Sequence, residues 1–399
     1  MNVLFAKTAA VLLAAVLLLP VKAQAVSARR AVVLEPVTGR QLFSRAASQQ
    51  APMASTTKIM TALLICEQCN VLDRMRIPKE AVGIEGSSMY LKEGEVLTVQ
   101  DLLYGLMLSS GNDAAVALAI YCGGTVEGFV GMMNDKARIL GLRDTHFANP
   151  NGLDAPEHYS SAADLAVLGA YAMENPIFAK TVSTKTVQAA GRYLRNHNKL
   201  LWLLPGAEGI KTGFTRSAGR ILVSSSQRQG RRLVAATMDA PDDWRDHQSL
   251  LEAGFRNYQV EQLLAAGEQL GTRVVAGGEG KARILAAEDF FYALAQGERP
   301  QIVLGGQDFA YAPVTEGADA GTAYVLLSGK IIGRVPTVYG ETVEQIVSEK
   351  KPFWQRLLER GLERSAPYGA FAENIVRPGP CLPAGGGRMD QGGPGNGQR

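Results

Sequence analysis

The sequence predicts an α+β fold: an antiparallel sheet flanked by helices, a helical lobe inserted between its strands, and a small β-rich domain after it. Three observations lead there. Strand-type runs occur at both ends of the first 260 or so residues, at 30–34 and 41–44 and again at 209–214, 220–225 and 232–238. The apolar residues between them recur at helical spacing, so the simplest arrangement joins the two ends in one sheet. From about Gln262 the texture changes to short β-type runs broken by glycine and acidic turns. A chain of 399 residues is long enough for this plan.

Taken in order, Lys7 is the single charge before the apolar residues 8–21, and Ala23-Gln24-Ala25 follows. A short positive region, an apolar core and an A-x-A site predict a secretory signal over 1–25. The rival reading, an uncleaved anchor, needs a longer apolar core. Arg29-Arg30 follows that core, so it is not a twin-arginine signal. The first two strands form a hairpin through Val37-Thr38-Gly39. The apolar run 59–65 reads as a helix, opened by Ala54-Ser55-Thr56-Thr57-Lys58 and ending near Asn70. Residues 86–91 read as a loop or short strand. Thr98 with Asp101 three positions later resembles a capping box, starting a helix that stops near Ser109. Helices follow from Asn112 or Asp113 to Tyr121, over 126–140 and over 161–173, with the turn-rich loop Asn149-Pro150-Asn151-Gly152 between the last two. A helix over 246–258 closes a first domain at 26–260.

The second domain, 261–348, carries strand candidates at 273–275, 282–286, 301–304, 322–327 and 330–337, with no catalytic grouping. Its simplest role is support or spacing. Within 349–376, a helix opened by Lys350-Lys351-Pro352 puts Phe353, Trp354, Leu357, Leu358 and Leu362 on one face, with Arg356, Arg360 and Arg364 largely elsewhere. Residues 350–364 thus suit either a membrane surface or docking on the β-rich domain or another copy. The Gly- and Pro-rich residues 377–399 are expected to be disordered.

A net charge of +3 without a basic run gives no footprint for nucleic acid. Cys66 and Cys69 form a C-x-x-C, with Cys122 the further partner inside the folded part and Cys381 in the tail. The four histidines show no metal-ligand spacing, so core or disulfide cysteines are favoured over a metal or redox site, and no cofactor is expected.

The chemistry lies in three short segments. Ser55 and Lys58 are three residues apart on one helix face, a nucleophile beside a base if the lysine sheds its proton. Ser110-Gly111-Asn112 falls between two helices, and Lys211-Thr212-Gly213 on a strand. An S-x-x-K alone is weak, and Ser348-Glu349-Lys350-Lys351 is a second, chance match. The three in this order and structural context are specific.

With Pro52-Met53-Ala54 before Ser55, Asp113-Ala114-Ala115 after Asn112, Gly209-Ile210 before Lys211, Phe214-Thr215 after Gly213, and the segments 149–153 and 158–160, the chain resembles the exported serine D-alanyl-D-alanine carboxypeptidases, which are low-molecular-mass penicillin-binding proteins. The resemblance spans about residues 28–337. It implies the serine β-lactamase/penicillin-binding-protein transpeptidase fold, a β-rich satellite and a membrane-associating C-terminal helix. It further implies that Ser55 attacks a terminal D-Ala-D-Ala bond of a peptidoglycan peptide, and that β-lactam antibiotics acylate the same hydroxyl. Lys58 would be the neutral base, Ser110 the proton relay and Asn112 a ligand of the peptide amides. Lys211 would supply the cation; the hydroxyls of Thr212 and Thr215, with Arg245, would hold the substrate carboxylate. Gly213 would leave room for substrate at the strand edge, and the N–H groups of Ser55 and Phe214 would form the oxyanion hole. Asp164 matches an acid of the family's facing loop, or is a helix N-terminal charge; His158 and Tyr159 read as packing residues. The alternatives are a DD-endopeptidase, a serine β-lactamase and a non-catalytic wall-binding protein. A β-lactamase of this fold needs a deacylating glutamate before K-T-G, and Glu157, between Pro156 and His158, does not match that pattern.

Overall fold

The computed structural model describes residues 26–347 and 353–362. The segment read as a signal and the C-terminal tail lie outside the described residues. Strands Arg30–Glu35 (β1) and Arg40–Arg45 (β2) form the expected hairpin, and Glu35 holds its turn by accepting from the N–H groups of Val37 and Thr38. A 3₁₀ turn, Ala54–Thr57, leads into the helix Lys58–Gln68 (α1). A two-stranded ribbon, Arg74–Arg76 (β3) and Val96–Thr98 (β4), delivers the chain to Val99–Leu108 (α2). The capping box there is as the sequence predicts: Asp101 N–H donates to Thr98 Oγ1 at 3.0 Å, and Asp101 accepts from Thr98 N–H in return. Helices Asn112–Gly123 (α3), Val126–Ile139 (α4), Ala162–Ala172 (α5) and Pro176–Ser183 (α6) build the inserted lobe. A hairpin, Thr186–Ala189 (β5) with Arg192–Arg195 (β6), and the helical turn Leu200–Leu203 (α7) return the chain to the sheet. Strands Ala207–Thr215 (β7), Gly219–Arg228 (β8) and Arg231–Met238 (β9), then helix Asp243–Asn257 (α8), complete it.

The five-stranded sheet has the order β2-β1-β9-β8-β7, with all neighbours antiparallel. The β1–β9 pairing, with Val32 opposite Ala236, joins the two ends of the domain. Alternation sorts the side chains into two layers. Val32, Ile221, Val223, Val234 and Ala236 face the helical lobe, while Ala31, Val33, Leu222, Leu233 and Ala235 face α8 through Leu250 and Leu251. Gly169 lets α5 sit close on the sheet, since a Cβ there would lie 3.0 Å from Val223 and 3.1 Å from Ile210. The topology leaves β7, the strand bearing Lys211-Thr212-Gly213, at the sheet edge beside the Ser55 turn.

The C-terminal part contains Tyr258–Leu264 (β10), Gln269–Ala276 (β11), Lys281–Ala286 (β12), Phe290–Ala295 (β13), Gln301–Leu304 (β14), Phe309–Tyr311 (β15), Asp319–Leu327 (β16) and Lys330–Tyr339 (β17). Six of them form a sheet ordered β14-β16-β17-β12-β11-β15, and β10 pairs with β13. Arg40 ties this part to the first sheet. It donates to both carboxylate oxygens of Glu298, at 2.6 and 2.7 Å, and its guanidinium lies 5.0 Å from the Tyr258 ring centre. The helix Phe353–Leu362 (α9) belongs to a separate unit that starts at Gln345. The expected fold class holds.

Candidate active site

The turn carrying Ser55 begins at Ala54, whose φ of +46° is left-handed for a non-glycine residue. Ser110 is held the same way, with φ +60°. Such backbone costs of order 1 kcal/mol per residue and persists only where the surroundings enforce it. Both serines line one cleft of about 340 Å³, together with Thr212, Gly213 and Phe214 of β7. Three segments far apart in sequence therefore meet in a single cavity.

Lys58 is completely buried at the N-terminus of α1. Its Nζ lies 3.0 Å from Ser55 Oγ and 2.7 Å from Asn112 Oδ1, and also meets the main-chain carbonyl of Asn151. The Asn112 amide is oriented by its own Nδ2, which donates to Glu85 O at 2.6 Å. Burial, and then the charge of Lys211, push the Lys58 pKa well below the ordinary lysine range. A neutral amine has two N–H bonds and one lone pair. Two carbonyl oxygens absorb the N–H bonds, which leaves the lone pair for the Ser55 hydroxyl proton.

Lys211 is also buried, donates to Thr212 O at 2.9 Å, and is lowered by burial to about 7. Lys211 is lowered by burial alone, whereas Lys58 is lowered by burial and by the charge of Lys211, so in this pair Lys211 carries the charge and Lys58 gives it up. His197 lines the same cleft and is lowered by burial and by Lys211, so it adds no second cation beside them.

Close approach fixes two glycines. A Cβ on Gly152, at φ +91°, would fall 2.1 Å from Ala54 O, so the 149–152 loop can reach Lys58 only with glycine there. A Cβ on Gly213 would lie 3.3 Å from Ser55 N and from Ala54 Cβ. A side chain at 213 would thus press β7 against the nucleophile turn, a second reason for glycine beside the expected access for substrate. Asp113 secures the opposite wall by accepting from Ser88 Oγ at 2.6 Å, Met89 N–H at 3.0 Å and Leu91 N–H at 3.1 Å.

Comparison with known proteins agrees with this geometry. Residues 19–242 match the family model described as D-alanyl-D-alanine carboxypeptidase, and residues 258–345 match the C-terminal domain of penicillin-binding protein 5. The chain belongs to the D-alanyl-D-alanine carboxypeptidase family. It is 35% identical to the D-alanyl-D-alanine carboxypeptidase DacD of Salmonella typhimurium, over 80% of this chain and 87% of that protein. It is 31% identical to DacF of Bacillus subtilis, over 80% and 86%. The structure of penicillin-binding protein 5 from Haemophilus influenzae superposes with a TM-score of 0.71 at 30% identity, covering 82% of this chain and all (100%) of that one.

Within this carboxypeptidase scaffold, two expected site residues fall elsewhere. Arg245 is 83% exposed, lies 4.0 Å from Asp242 and does not line the cleft. Asp243 turns inward at the start of α8, and a residue two positions on points to another side of the helix. Thr215 Oγ1 donates to Asp154 at 3.1 Å and accepts from Ala218 N–H, so its hydroxyl is committed to the β7–β8 turn rather than to the cleft.

Arg220, which the sequence reading missed, lines the cleft instead. It stands opposite Phe214 in the β7–β8 register. One of its terminal nitrogens donates to both oxygens of buried Asp243, at 2.7 and 3.0 Å, and its guanidinium lies 5.7 Å from the Trp244 ring centre. Counting register across the short 216–218 turn would have found it. Ser87, Lys199 and Trp244 complete the walls and carried no sequence signal.

Asp164 accepts from Asp144 N–H and Thr145 Oγ1, both at 2.8 Å, while Ser161 caps its helix. It braces a loop. His158 accepts from Ala148 N–H at Nδ1 and faces Thr57 Oγ1 at 2.8 Å through Nε2. Burial lowers it to about 4, a neutral packing residue supporting the nucleophile turn.

Proposed function

We propose that this family member is a serine DD-carboxypeptidase that removes the terminal D-alanine from peptidoglycan peptides through an acyl-enzyme on Ser55. The observation that carries this reading is the buried Lys58 amine, held by Asn112 and Asn151 and 3.0 Å from Ser55 Oγ. Lys58 takes the hydroxyl proton as Ser55 Oγ attacks the carbonyl of the D-Ala-D-Ala bond. Ser110, in the same cleft, passes a proton to the leaving amine. The N–H groups of Ser55 and Phe214 receive the oxyanion. Free D-alanine leaves, and water then frees the acyl-enzyme.

The substrate ends in a carboxylate. Lys211, Thr212 and Arg220 supply positive charge and donors for it, with Arg220 in the role first expected of Arg245. Arg220→Ala should raise KM for a D-Ala-D-Ala pentapeptide roughly 10- to 100-fold with a small change in kcat, the loss expected for one charge-assisted contact; Arg245→Ala should leave both within about twofold. Steady-state D-alanine release measures this. A pentapeptide amidated at its C-terminus should be a poor substrate for the parent. Equal turnover of acid and amide would favour the endopeptidase reading.

β-Lactams are expected to acylate Ser55 and stay. Among the described residues, Asp243 is the one carboxylate lining the cleft, and Arg220 occupies it. Glu157 is exposed and does not line the cleft, so among the described residues no carboxylate other than the Arg220-paired Asp243 stands there to activate water on the acyl bond. The sequence of residues 1–25 supports export, and the amphipathic pattern of α9 supports association with the outer face of the membrane.

A further inference from the structure

A second pair of reactive side chains lies outside the cleft. Cys69 closes the C-terminal end of α1, and Cys122 sits in the last turn of α3. Both are half-buried, and their thiols are within hydrogen-bonding reach of each other. The two helices pack together and begin at Lys58 and Asn112, whose side chains are joined at 2.7 Å. The pair thus runs side by side in one direction, fastened at its N-terminal ends by catalytic groups and meeting again at its C-terminal ends through two sulfurs.

The sulfurs are chemically unequal. Their mutual hydrogen bond lowers the Cys122 thiol below its ordinary range and raises Cys69, a thiolate accepting from a thiol. Cys66, one turn back on α1, is buried and pushed up to about 12 by burial, which leaves it protonated and inert. Among the described residues no group of three or more His, Cys, Asp or Glu side chains is arranged to hold a metal ion.

We propose that Cys69 and Cys122 are a disulfide site, clamping the C-terminal ends of the two helices whose N-terminal ends present Lys58 and Asn112. The oxidant is a small or protein disulfide, such as oxidised glutathione. Cys122 thiolate attacks one of its sulfurs, forms a mixed disulfide and expels one thiolate. Cys69, after losing its proton, attacks Cys122 Sγ, forms the intramolecular S–S bond and expels the second thiolate. The protein loses two protons and two electrons, and the oxidant becomes two thiols.

The test is intact-mass measurement of the full chain after incubation with oxidised glutathione, denaturation and alkylation with iodoacetamide. Two of the four cysteines should be alkylated, with the Cys69 and Cys122 peptides joined and Cys66 alkylated. Reductant should restore four alkylated thiols and lower Tm by about 5 °C. Cys69→Ser and Cys122→Ser should each abolish the cross-link and make Tm indifferent to reductant, while penicillin still acylates the protein. Four alkylated thiols after oxidation, a glutathione adduct that persists on Cys122, or a cross-link through Cys66 would overturn the proposal. So would a cross-linked protein whose Tm ignores reductant. If a serine variant fails to fold, the parent with and without reductant still decides.

Discussion

Ser55→Ala should gain no mass on exposure to penicillin and should release D-alanine from a wall pentapeptide at least about 10⁴-fold more slowly than the parent. The size of the loss follows from chemistry rather than folding. Ser55 is half-buried at the start of a turn, and its neighbours are held by groups other than its hydroxyl: Thr57 Oγ1 donates to Ala54 O at 2.8 Å, and the 149–152 loop packs on the turn through Gly152. Removing Oγ leaves Thr212 and Arg220 in the cleft and the buried Lys211 on the same strand as Thr212, so reversible penicillin binding should survive by equilibrium measurement. A variant that lost binding as well as acylation would show that the substitution had collapsed the cleft. One that released D-alanine at the parent rate would remove Ser55 from the chemistry.

Lys58→Met should slow acylation by about 10³-fold, within the range for loss of a positioned base. The methionine is of similar length and suits the buried site, but it cannot accept the serine proton. It also leaves Asn112 Oδ1 and the Asn151 carbonyl without the amine that satisfied them, so the fold should lose stability as well. Circular dichroism at 25 °C separates the two effects: a folded variant with stopped-flow acylation near the parent rate would mean that another group takes the proton. Lys58→Arg should be no better than Lys58→Met, because a guanidinium stays charged and cannot act as a base.

How much of this was legible in the sequence depended on whether the information was local. The Ser55–Lys58 spacing, the capping box at Thr98 and the period-2 strands of the first sheet are short-range patterns, and each element lies within a few residues of its expected bounds. Bringing Ser110 and Lys211 to Ser55 is a long-range event, and it was readable because the three motifs occur together in one order. The Lys58 environment was half readable. Asn112 carries a motif, but the Asn151 acceptor is a main-chain carbonyl, which every residue has. Arg245 was chosen for its place after the last strand; Arg220 owes its position to strand register, which turns on the length of one turn. In the C-terminal part, the helix expected over 246–258 gives way at Tyr258 to β10, which was not expected, and the three-residue β15 is too short to show a period.

The pH dependence of penicillin acylation, followed by the mass of the Ser55 adduct, addresses the central claim that one amine is kept uncharged beside a hydroxyl. Lys58 must be neutral to act, so the acid limb should lie far below 10.5, the ordinary lysine value, and the enzyme should be active at neutral pH. Lys211 must be charged, so the rate at low penicillin concentration should fall as pH rises through about 7, and this limb should move to higher pH once the ligand carboxylate is bound. A rate that instead climbs with a single inflection near 10.5 would mean that Lys58 is an ordinary charged lysine at neutral pH, and the account of the site would be wrong.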